Sequence, residues 1–231
     1  MATVHFYLVR HGQTKLNRAA RLQGITDSPL TKKGIRMAKR LGYELRNIQF
    51  KAVYTSDLKR TQDTAKYILE ENLKLISPLY TDPDLREFSF GKYEEVKNWQ
   101  LILEALRTLG FKKIINAFLN EEHVSELIKI FRSMDESEEI EDSTHLNMRF
   151  RRALKLIASR YQKEECNILI VTHGLILSNF IESLYGEVPL FLLDNARASL
   201  VDYDNGQFKI QYINQLKPED IHENKTNQKT S

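Results

Sequence analysis

The chain has 231 residues, of which 42% are hydrophobic and 28% are charged, and its formal net charge is +3. This balance is typical of a globular protein, and the length fits one large domain or a core with an inserted subdomain. A net charge this small does not indicate nucleic-acid binding in the absence of a clustered basic face. The single cysteine, Cys166, excludes an intramolecular disulfide, and no apolar run reaches membrane-spanning length. With no signal-peptide pattern at the start, the expectation is a cytoplasmic protein without membrane association.

The first half of the chain alternates strands and helices. A short run rich in β-formers predicts a buried strand over residues 4–9, and residues 50–54 predict a second. Between them, Thr31 is the predicted N-cap of a helix that continues to residue 46. Asp57 is the predicted cap of a further helix that ends near residue 72. Residues 79–85 form a weak extended segment that Pro83 interrupts.

Residues 92–141 show helical periodicity and predict an inserted helical cap. Its apolar stripe, interpreted as helix packing, consists of Val124, Leu127, Ile128 and Phe131. The acidic run at 135–142 predicts an exposed loop. Tyr93 and Trp99 are candidates for the border of a pocket under this cap, with core packing the favoured interpretation of Trp99.

Alternation returns after residue 143, with a helix, the strongest strand of the chain at 167–172, and a helix at 175–184. Two β-rich runs flanking Asn205 and Gly206 predict a C-terminal hairpin with a type I′ turn. The pattern predicts an α/β fold with three layers, in which helices flank a mostly parallel sheet. Residues 1–216 form one domain in this interpretation, and 217–231 form a polar, frayed tail.

Two of the predicted strands end alike, in "LVRHG" and "IVTHG", so His11 and His173 each follow a strand and precede a glycine. Ligands of open α/β sheets bind outside the carboxyl ends of the strands. Gly12 and Gly174 would let the backbone approach a ligand, and the helix N-termini after such turns attract anions. One such histidine is usually structural, whereas two at equivalent strand ends indicate a site. The remaining histidines lack this context and metal-ligand spacing, and are interpreted as structural or surface residues: His5, His123, His145 and His222.

Arg60, in "YTSDLKRTQDTA", lies about one turn into its predicted helix, close to the carboxyl end of the 50–54 strand. It would point toward the same rim as Arg10. Guanidinium groups bind phosphate oxygens through two parallel hydrogen bonds. Two arginines and two histidines at one rim therefore predict a pocket for a tetrahedral anion.

The motifs "LVRHGQTKLN", "LQGITDSPLTKKG", "VYTSDLKRTQDTA", "LREFSFGKYE" and "IVTHG" together resemble the histidine phosphatase superfamily, which has the phosphoglycerate-mutase-like fold. The resemblance implies that His11 is the nucleophile that takes up the phosphoryl group and that Glu87 is the proton donor. It implies no metal and no cofactor. The positions that match phosphate- or substrate-binding residues of the family are Arg10, Asn17, Gln23, Gly24, Arg60 and His173.

The chemistry agrees with that assignment. A histidine nucleophile needs one neutral ring nitrogen and a partner that fixes the tautomer, for which we expect a backbone carbonyl. The arginines and His173 would stabilise charge during phosphoryl transfer. The leaving alkoxide needs a proton, and a nearby phosphate dianion would raise the pKa of Glu87 by repulsion between like charges.

The family contains mutases and phosphatases. The mutase branch usually reads "RHGES" and "ERHYG", whereas this chain reads "RHGQT" and "REFSFG", which favours a phosphatase. The expected activity is metal-independent hydrolysis of a small phosphorylated metabolite through a phosphohistidine. Two alternatives stay open: a phosphoglycerate mutase, and a protein that binds or regulates phospho-ligands without turnover. A homodimer is compatible with the sequence, and "RFRRALK" at residues 149–155 is interpreted as a solvated helix face rather than a nucleic-acid surface.

Overall fold

The structure, a computed structural model, describes residues 2–73, 78–109, 124–135, 140–186 and 193–216. Four predicted features lie outside the described residues: the polar tail, residues 136–139 of the acidic run, His123 and His222.

A six-stranded mixed sheet forms the centre of the fold, in the order β3-β2-β4-β1-β5-β6. The strands are β1 Val4–Arg10, β2 Phe50–Thr55, β3 Leu79–Thr81, β4 Cys166–Thr172, β5 Ala198–Asp204 and β6 Gln207–Gln215. Strands β1 to β4 run parallel to one another, and β5 pairs antiparallel with both β1 and β6. The predicted mostly parallel sheet is thus confirmed, with β1 and β4 adjacent at its centre.

Helices cover both faces of the sheet. Within the described residues they are α1 Lys15–Arg18, α2 Lys32–Glu44, α3 Lys59–Leu69, α4 Asn98–Leu109, α5 Val124–Met134, α6 Ser143–Tyr161 and α7 Gly174–Tyr185. Two single-turn 3₁₀ helices, Pro83–Leu85 and Gly91–Tyr93, lie between β3 and α4. One apolar core joins α2 and α3 to the sheet, and a second joins α5, α6 and α7 to it. These two cores make the three layers that strand–helix alternation predicts.

The start of α3 differs from the prediction. Thr31 caps α2 as predicted, by accepting a hydrogen bond from Gly34 N–H. By contrast, the N-cap position of α3 is Leu58, and the Asp57 carboxylate binds Arg86 instead. Asp27 caps α3 from a distant loop, because its carboxylate accepts the backbone N–H of Lys59 at 2.6 Å. The prediction of Asp57 was wrong because a cap supplied from 32 residues away leaves no local pattern.

The described part of segment 92–141, which leaves out residues 110–123 and 136–139, contributes to the second core, and its role as a cap stays a prediction. Val124, Ile128 and Phe131 are buried in the same cluster as β1 and β4, so the packing interpretation of the stripe holds. Tyr93 is also buried, and its hydroxyl donates to Met134 O at 2.9 Å. Trp99 is 56% exposed, so its interpretation as a core residue was wrong. It lies on the outer face of α4, where helical periodicity does not say which side faces the core.

The acidic run and the C-terminal hairpin can also be compared with the predictions. The acidic run is not uniformly exposed: Ile140 is buried, and Asp142 caps α6 by accepting from His145 N–H at 2.8 Å. The hairpin turn has positive φ angles at Asn205 (48°) and Gly206 (83°), as a type I′ turn requires. None of the helices within the described ranges is long and apolar enough to cross a membrane.

Candidate active site

His11 and His173 meet at the carboxyl edge of the two central strands. Because β1 and β4 pair in parallel with Arg10 beside Thr172, the residues after them leave the sheet at the same level. The His11 backbone N–H still donates to Thr172 O at 2.9 Å. The two imidazole rings lie edge to face with centroids 5.3 Å apart, and both are buried. The structure therefore brings the predicted histidine pair together.

The surroundings of His11 define its protonation. Its Nδ1 lies 2.8 Å from the carbonyl oxygen of Gly12, a geometry in which Nδ1–H donates. The Nε2 atom then carries the lone pair and accepts from Nε–H of Arg60 at 3.3 Å. Burial, followed by the charges of Arg60 and Arg10, holds the pKa of His11 well below its ordinary value. The ring is neutral at pH 7 and oriented by a backbone carbonyl, as expected from the sequence.

Arg60 is enclosed by the loop of residues 24–27, hereafter the 24–27 loop. Its Nη2 donates to Gly24 O at 2.5 Å, and its Nη1 donates to Thr26 O at 2.9 Å and to Asp27 Oδ1 at 3.2 Å. The side chain is completely buried, which is rare for arginine unless its donors are satisfied. Carbonyl groups and one carboxylate thus fix the guanidinium beside His11.

Arg10 and His173 each keep one buried nitrogen without a partner among the described residues. Arg10 Nη1 donates to Leu193 O at 2.7 Å, whereas its Nε has no acceptor there. His173 Nε2 hydrogen-bonds Ser56 Oγ at 2.8 Å, whereas its Nδ1 is unpaired. Burial and the charge of Arg60 lower the pKa of His173 well below its ordinary value. Because buried polar atoms are almost always paired, these nitrogens fit the oxygens of a bound anion.

Glu87 joins the site from the loop before the 3₁₀ helix Gly91–Tyr93. Its carboxylate accepts the backbone N–H groups of Phe88, Leu175 and Ile176, each at 2.9 Å. Burial raises the pKa of Glu87, and these N–H groups oppose that shift because they favour the anion. The sequence predicts that the helix N-terminus after His173 attracts an anionic ligand. In the structure, the Glu87 carboxylate itself accepts two of the free N–H groups at the start of α7.

A cavity of about 380 Å³ opens beside these groups. Four of the predicted site residues line it: Arg10, Asn17, Gln23 and Glu87. His11, Arg60 and His173 are buried, and the cavity wall described by the structure does not include them or Gly24. Further lining residues, which were not predicted as site residues, include Gln13, Arg21, Asn98, Leu127, Asp194 and Asn195. The wall therefore combines amides, apolar side chains and both signs of charge.

Asn17 and Gln23 have structural contacts as well as their place on the wall. The side chains of Asn17 and Thr14 form a capping box at α1, with Asn17 Oδ1 accepting from Thr14 N–H at 3.2 Å. Gln23 Oε1 accepts from the Thr14 hydroxyl at 2.5 Å. This chain of contacts fixes two amides at the cavity.

The two glycines after the histidines lie where the packing leaves little room for a side chain. A Cβ atom on Gly12 would lie 2.7 Å from the carbonyl oxygen of Gly34 in α2. A Cβ atom on Gly174 would lie 3.0 Å from Nε of Arg10. The crowding comes from a helix backbone and from a side chain of the site itself, and the expected approach of this backbone to a ligand stays a prediction.

Several residues support His11 without having been predicted. Asn195 Nδ2 donates to the His11 carbonyl at 2.8 Å, and Thr64 Oγ1 accepts the Gly12 N–H at 2.9 Å. Thr64 lies within "YTSDLKRTQDTA", a motif whose sequence does not reveal this contact. Asn195 comes from the segment before β5 and has no local signal.

The basic run at 149–155 lines a separate groove of about 700 Å³ on the outer face of α6. Its arginines are engaged within the protein. Arg149 pairs with Glu141, Arg152 pairs with Asp84 at 2.7 Å, and Arg151 donates to the Ser183 hydroxyl at 2.9 Å. The basic run is therefore a helix face whose arginines bind neighbouring segments of the same chain.

The chain belongs to the histidine phosphatase superfamily, since the family model described as branch 1 of that superfamily matches residues 6–216. It is 28% identical to a phosphoglycerate mutase from Bacillus anthracis str. Sterne, whose crystal structure superposes with a TM-score of 0.86 over 97% of both chains. The α-ribazole phosphatase from Shigella flexneri is 25% identical, with a TM-score of 0.67 over 92% of this chain and 97% of that one.

Among curated relatives, the probable phosphoglycerate mutase GpmB of Yersinia pestis (strain Pestoides F) is 47% identical over 89 residues. That match covers 38% of this chain and 40% of the relative's length. The similar proteins thus carry both mutase and phosphatase names.

Proposed function

We propose that the protein is a metal-independent phosphomonoester hydrolase that works through a phosphohistidine on His11. The observation that carries this proposal is the state of His11: its ring is neutral, Nδ1 is held by the Gly12 carbonyl, and Nε2 faces the Arg60 guanidinium. A lone pair directed at a buried cation is arranged for attack on an electrophile that carries negative charge. Arg10 Nε and His173 Nδ1, which have no partner among the described residues, would bind phosphoryl oxygens beside it.

In the first step, the Nε2 lone pair of His11 attacks phosphorus, and the bond between phosphorus and the ester oxygen breaks. An equatorial oxygen replaces Nε2 as the acceptor for Nε–H of Arg60, so this cation follows the negative charge onto the phosphoryl group. Protonated Glu87 gives its proton to the leaving alkoxide. Its raised pKa, caused by burial, supports this role.

In the second step, the Glu87 carboxylate takes a proton from water as the water oxygen attacks phosphorus. The bond from phosphorus to Nε2 breaks, the lone pair returns to neutral His11, and inorganic phosphate leaves. Atoms and charge balance over the two steps, and the only co-reactant is water. The three backbone N–H groups on Glu87 stabilise its anion between the steps.

A mutase would differ in what attacks the phosphohistidine, because the hydroxyl of a reoriented substrate replaces water. The mutase names of the relatives from Bacillus anthracis and Yersinia pestis favour this second candidate. The departures "RHGQT" and "REFSFG" favour the hydrolase. We retain hydrolysis as the proposal, on a small phosphorylated metabolite.

The test is release of inorganic phosphate from a panel of phosphomonoesters in EDTA, with His11→Ala as the comparison. We expect turnover by the wild type and a loss of about 10³-fold or more in the variant. Inactivity of the wild type on every ester, or full activity of His11→Ala, contradicts the proposal.

A second experiment separates the two candidates. The protein is incubated with 3-phosphoglycerate, and phosphorus NMR follows the isomer and free phosphate together. We expect little isomer from 3-phosphoglycerate, whereas the active esters of the panel release free phosphate. Isomerisation faster than phosphate release overturns the choice of hydrolase and leaves the phosphohistidine intact.

A further inference from the structure

Glu94 binds the 24–27 loop through an unusual number of backbone contacts. Its Oε2 accepts the N–H groups of Gly24 at 3.1 Å and Thr26 at 3.2 Å, and its Oε1 accepts that of Ile25 at 3.1 Å. Oε1 also accepts Phe90 N–H at 3.0 Å. Three successive N–H groups converging on one anion form a nest, and hydrogen bonds to an ionised acceptor are the strong ones. The carboxylate therefore fixes the backbone of the loop.

One peptide group of the loop faces both Glu94 and Arg60. The peptide between Gly24 and Ile25 donates its N–H to Glu94 Oε1, and its carbonyl oxygen, Gly24 O, accepts from Arg60 Nη2. This peptide thus lies between an anion and a cation, with its dipole aligned from one to the other, and Thr26 O adds a second acceptor for the guanidinium. Polarised hydrogen bonds in series strengthen each other. Moving the carboxylate would therefore move the acceptors that hold Arg60.

The position of Arg60 affects the nucleophile directly, because Nε of Arg60 lies 3.3 Å from Nε2 of His11 and donates to it. We infer that Glu94 is a positioning residue for phosphoryl transfer: through the 24–27 loop it sets the place of the Arg60 guanidinium relative to His11. The inference rests on the proposed function. Glu94 touches neither histidine in the described contacts, so its action is through Arg60.

Packing supports a fixed loop. A Cβ atom on Gly24 would lie 2.2 Å from Phe88 O and 2.3 Å from Glu94 Oε1, so only glycine fits where the loop meets the carboxylate. Glu94 also follows directly on Tyr93, which is buried and bonds Met134 O at the end of α5. The segment that carries the carboxylate is therefore anchored in the second core.

The test combines Glu94→Gln with Arg60→Lys in a double-mutant cycle, measured as kcat/KM on p-nitrophenyl phosphate. Glutamine removes the charge and turns an amide N–H toward backbone N–H groups. We expect a loss of about 10- to 100-fold in the wild-type background, because a displacement of about 1 Å in a site costs up to that factor. In the Arg60→Lys background, where the guanidinium fork is gone, the same change should cost less than about threefold. Equal losses in both backgrounds overturn the inference.

Glu95→Gln is the matched control, since it removes the same charge one residue away from an exposed side chain. Its activity should equal that of the wild type. NMR of isotope-labelled histidine supplies a readout that does not need turnover: the Nε2 resonance of His11 should move in Glu94→Gln and stay in Glu95→Gln. An unchanged Nε2 resonance contradicts the inference.

The two proposals fail in different ways. A wild type that hydrolyses no ester rejects the proposed function, while the Nε2 resonance still reports whether Glu94 acts on the His11–Arg60 contact. If Glu94→Gln does not fold, Glu94→Asp, which keeps the charge on a shorter side chain, takes its place in the same cycle. Full activity of Glu94→Asp together with an unmoved resonance then contradicts the inference.

Discussion

Replacing Glu87 with glutamine removes the acidic proton and keeps a side chain of nearly the same shape. The carboxylate accepts three backbone N–H groups at 2.9 Å, and the glutamine amide keeps one accepting oxygen and turns an NH₂ toward the rest. The expected cost in stability is about 1–3 kcal/mol, the range for leaving a buried donor unsatisfied. Loss of general acid catalysis costs about 10²- to 10⁴-fold in rate, or roughly 3–5 kcal/mol in the barrier, for an alkoxide leaving group.

The assay compares two ester classes under conditions where the variant is folded. An alkyl phosphate has a poor leaving group and should lose the full factor. p-Nitrophenyl phosphate releases a stable phenolate without a proton and should lose much less in single turnover. The wild-type rate on the alkyl ester should fall as pH rises through the raised pKa of Glu87, because the acid must be protonated, and this limb should vanish in the variant.

Equal losses on both esters would refute the assignment of Glu87 as the acid and leave it only a role in holding α7. Glu95→Gln serves again as the control for charge, with no change expected in either class. A thermal melt of each variant measures the stability term separately from the rate.

Three further substitutions test the scaffold. The hydrogen bond to Asp202 raises the pKa of His5 from its ordinary 6.5 to about 9, so its contribution to stability is complete below pH 6.5 and disappears as pH rises to about 9. A His5→Gln variant should lose that pH dependence in urea melts, and identical pH profiles would contradict it. Asp27→Ala removes both the α3 cap and the contact with Arg60, and should cost at least about 1–2 kcal/mol, the range for a lost cap. Asp57→Ala breaks an exposed ion pair and should cost at most about 1 kcal/mol, so the reverse order of unfolding midpoints would contradict the assignment of the cap to Asp27. Gly12→Ala should destabilise by about 1–3 kcal/mol because its Cβ meets backbone 2.7 Å away, and an unshifted midpoint would show that the helix yields.

The sequence predicts the elements where local signals and tertiary contacts agree. Strands β1 and β4 are apolar runs, and Thr31 caps α2 from the adjacent position, so both can be derived without the fold. The same applies to the histidine pair, since equivalent ends of parallel strands meet at one edge. Even the backbone carbonyl at Nδ1 of His11 follows from the chemistry that a nucleophile requires.

What could not be predicted depends on contacts between distant segments. Asp27 caps α3 and Glu94 fixes the 24–27 loop, in pairings that span 32 and 70 residues. Nothing in the local sequence distinguishes these carboxylates from exposed ones. Trp99 illustrates the opposite case, a local pattern that tertiary structure does not follow. A large aromatic side chain on an amphipathic helix is an ordinary core candidate, but this one is half exposed.

The central claim is a covalent phosphoryl group on His11, and trapping it is the most direct test. The protein is mixed with a radiolabelled active ester, quenched within one turnover, and mapped by peptide analysis. We predict a label that is stable in alkali, labile in acid and located on His11, and that is absent from His11→Ala. A wild type that turns over without acquiring label, or a label that persists in His11→Ala, would contradict the account.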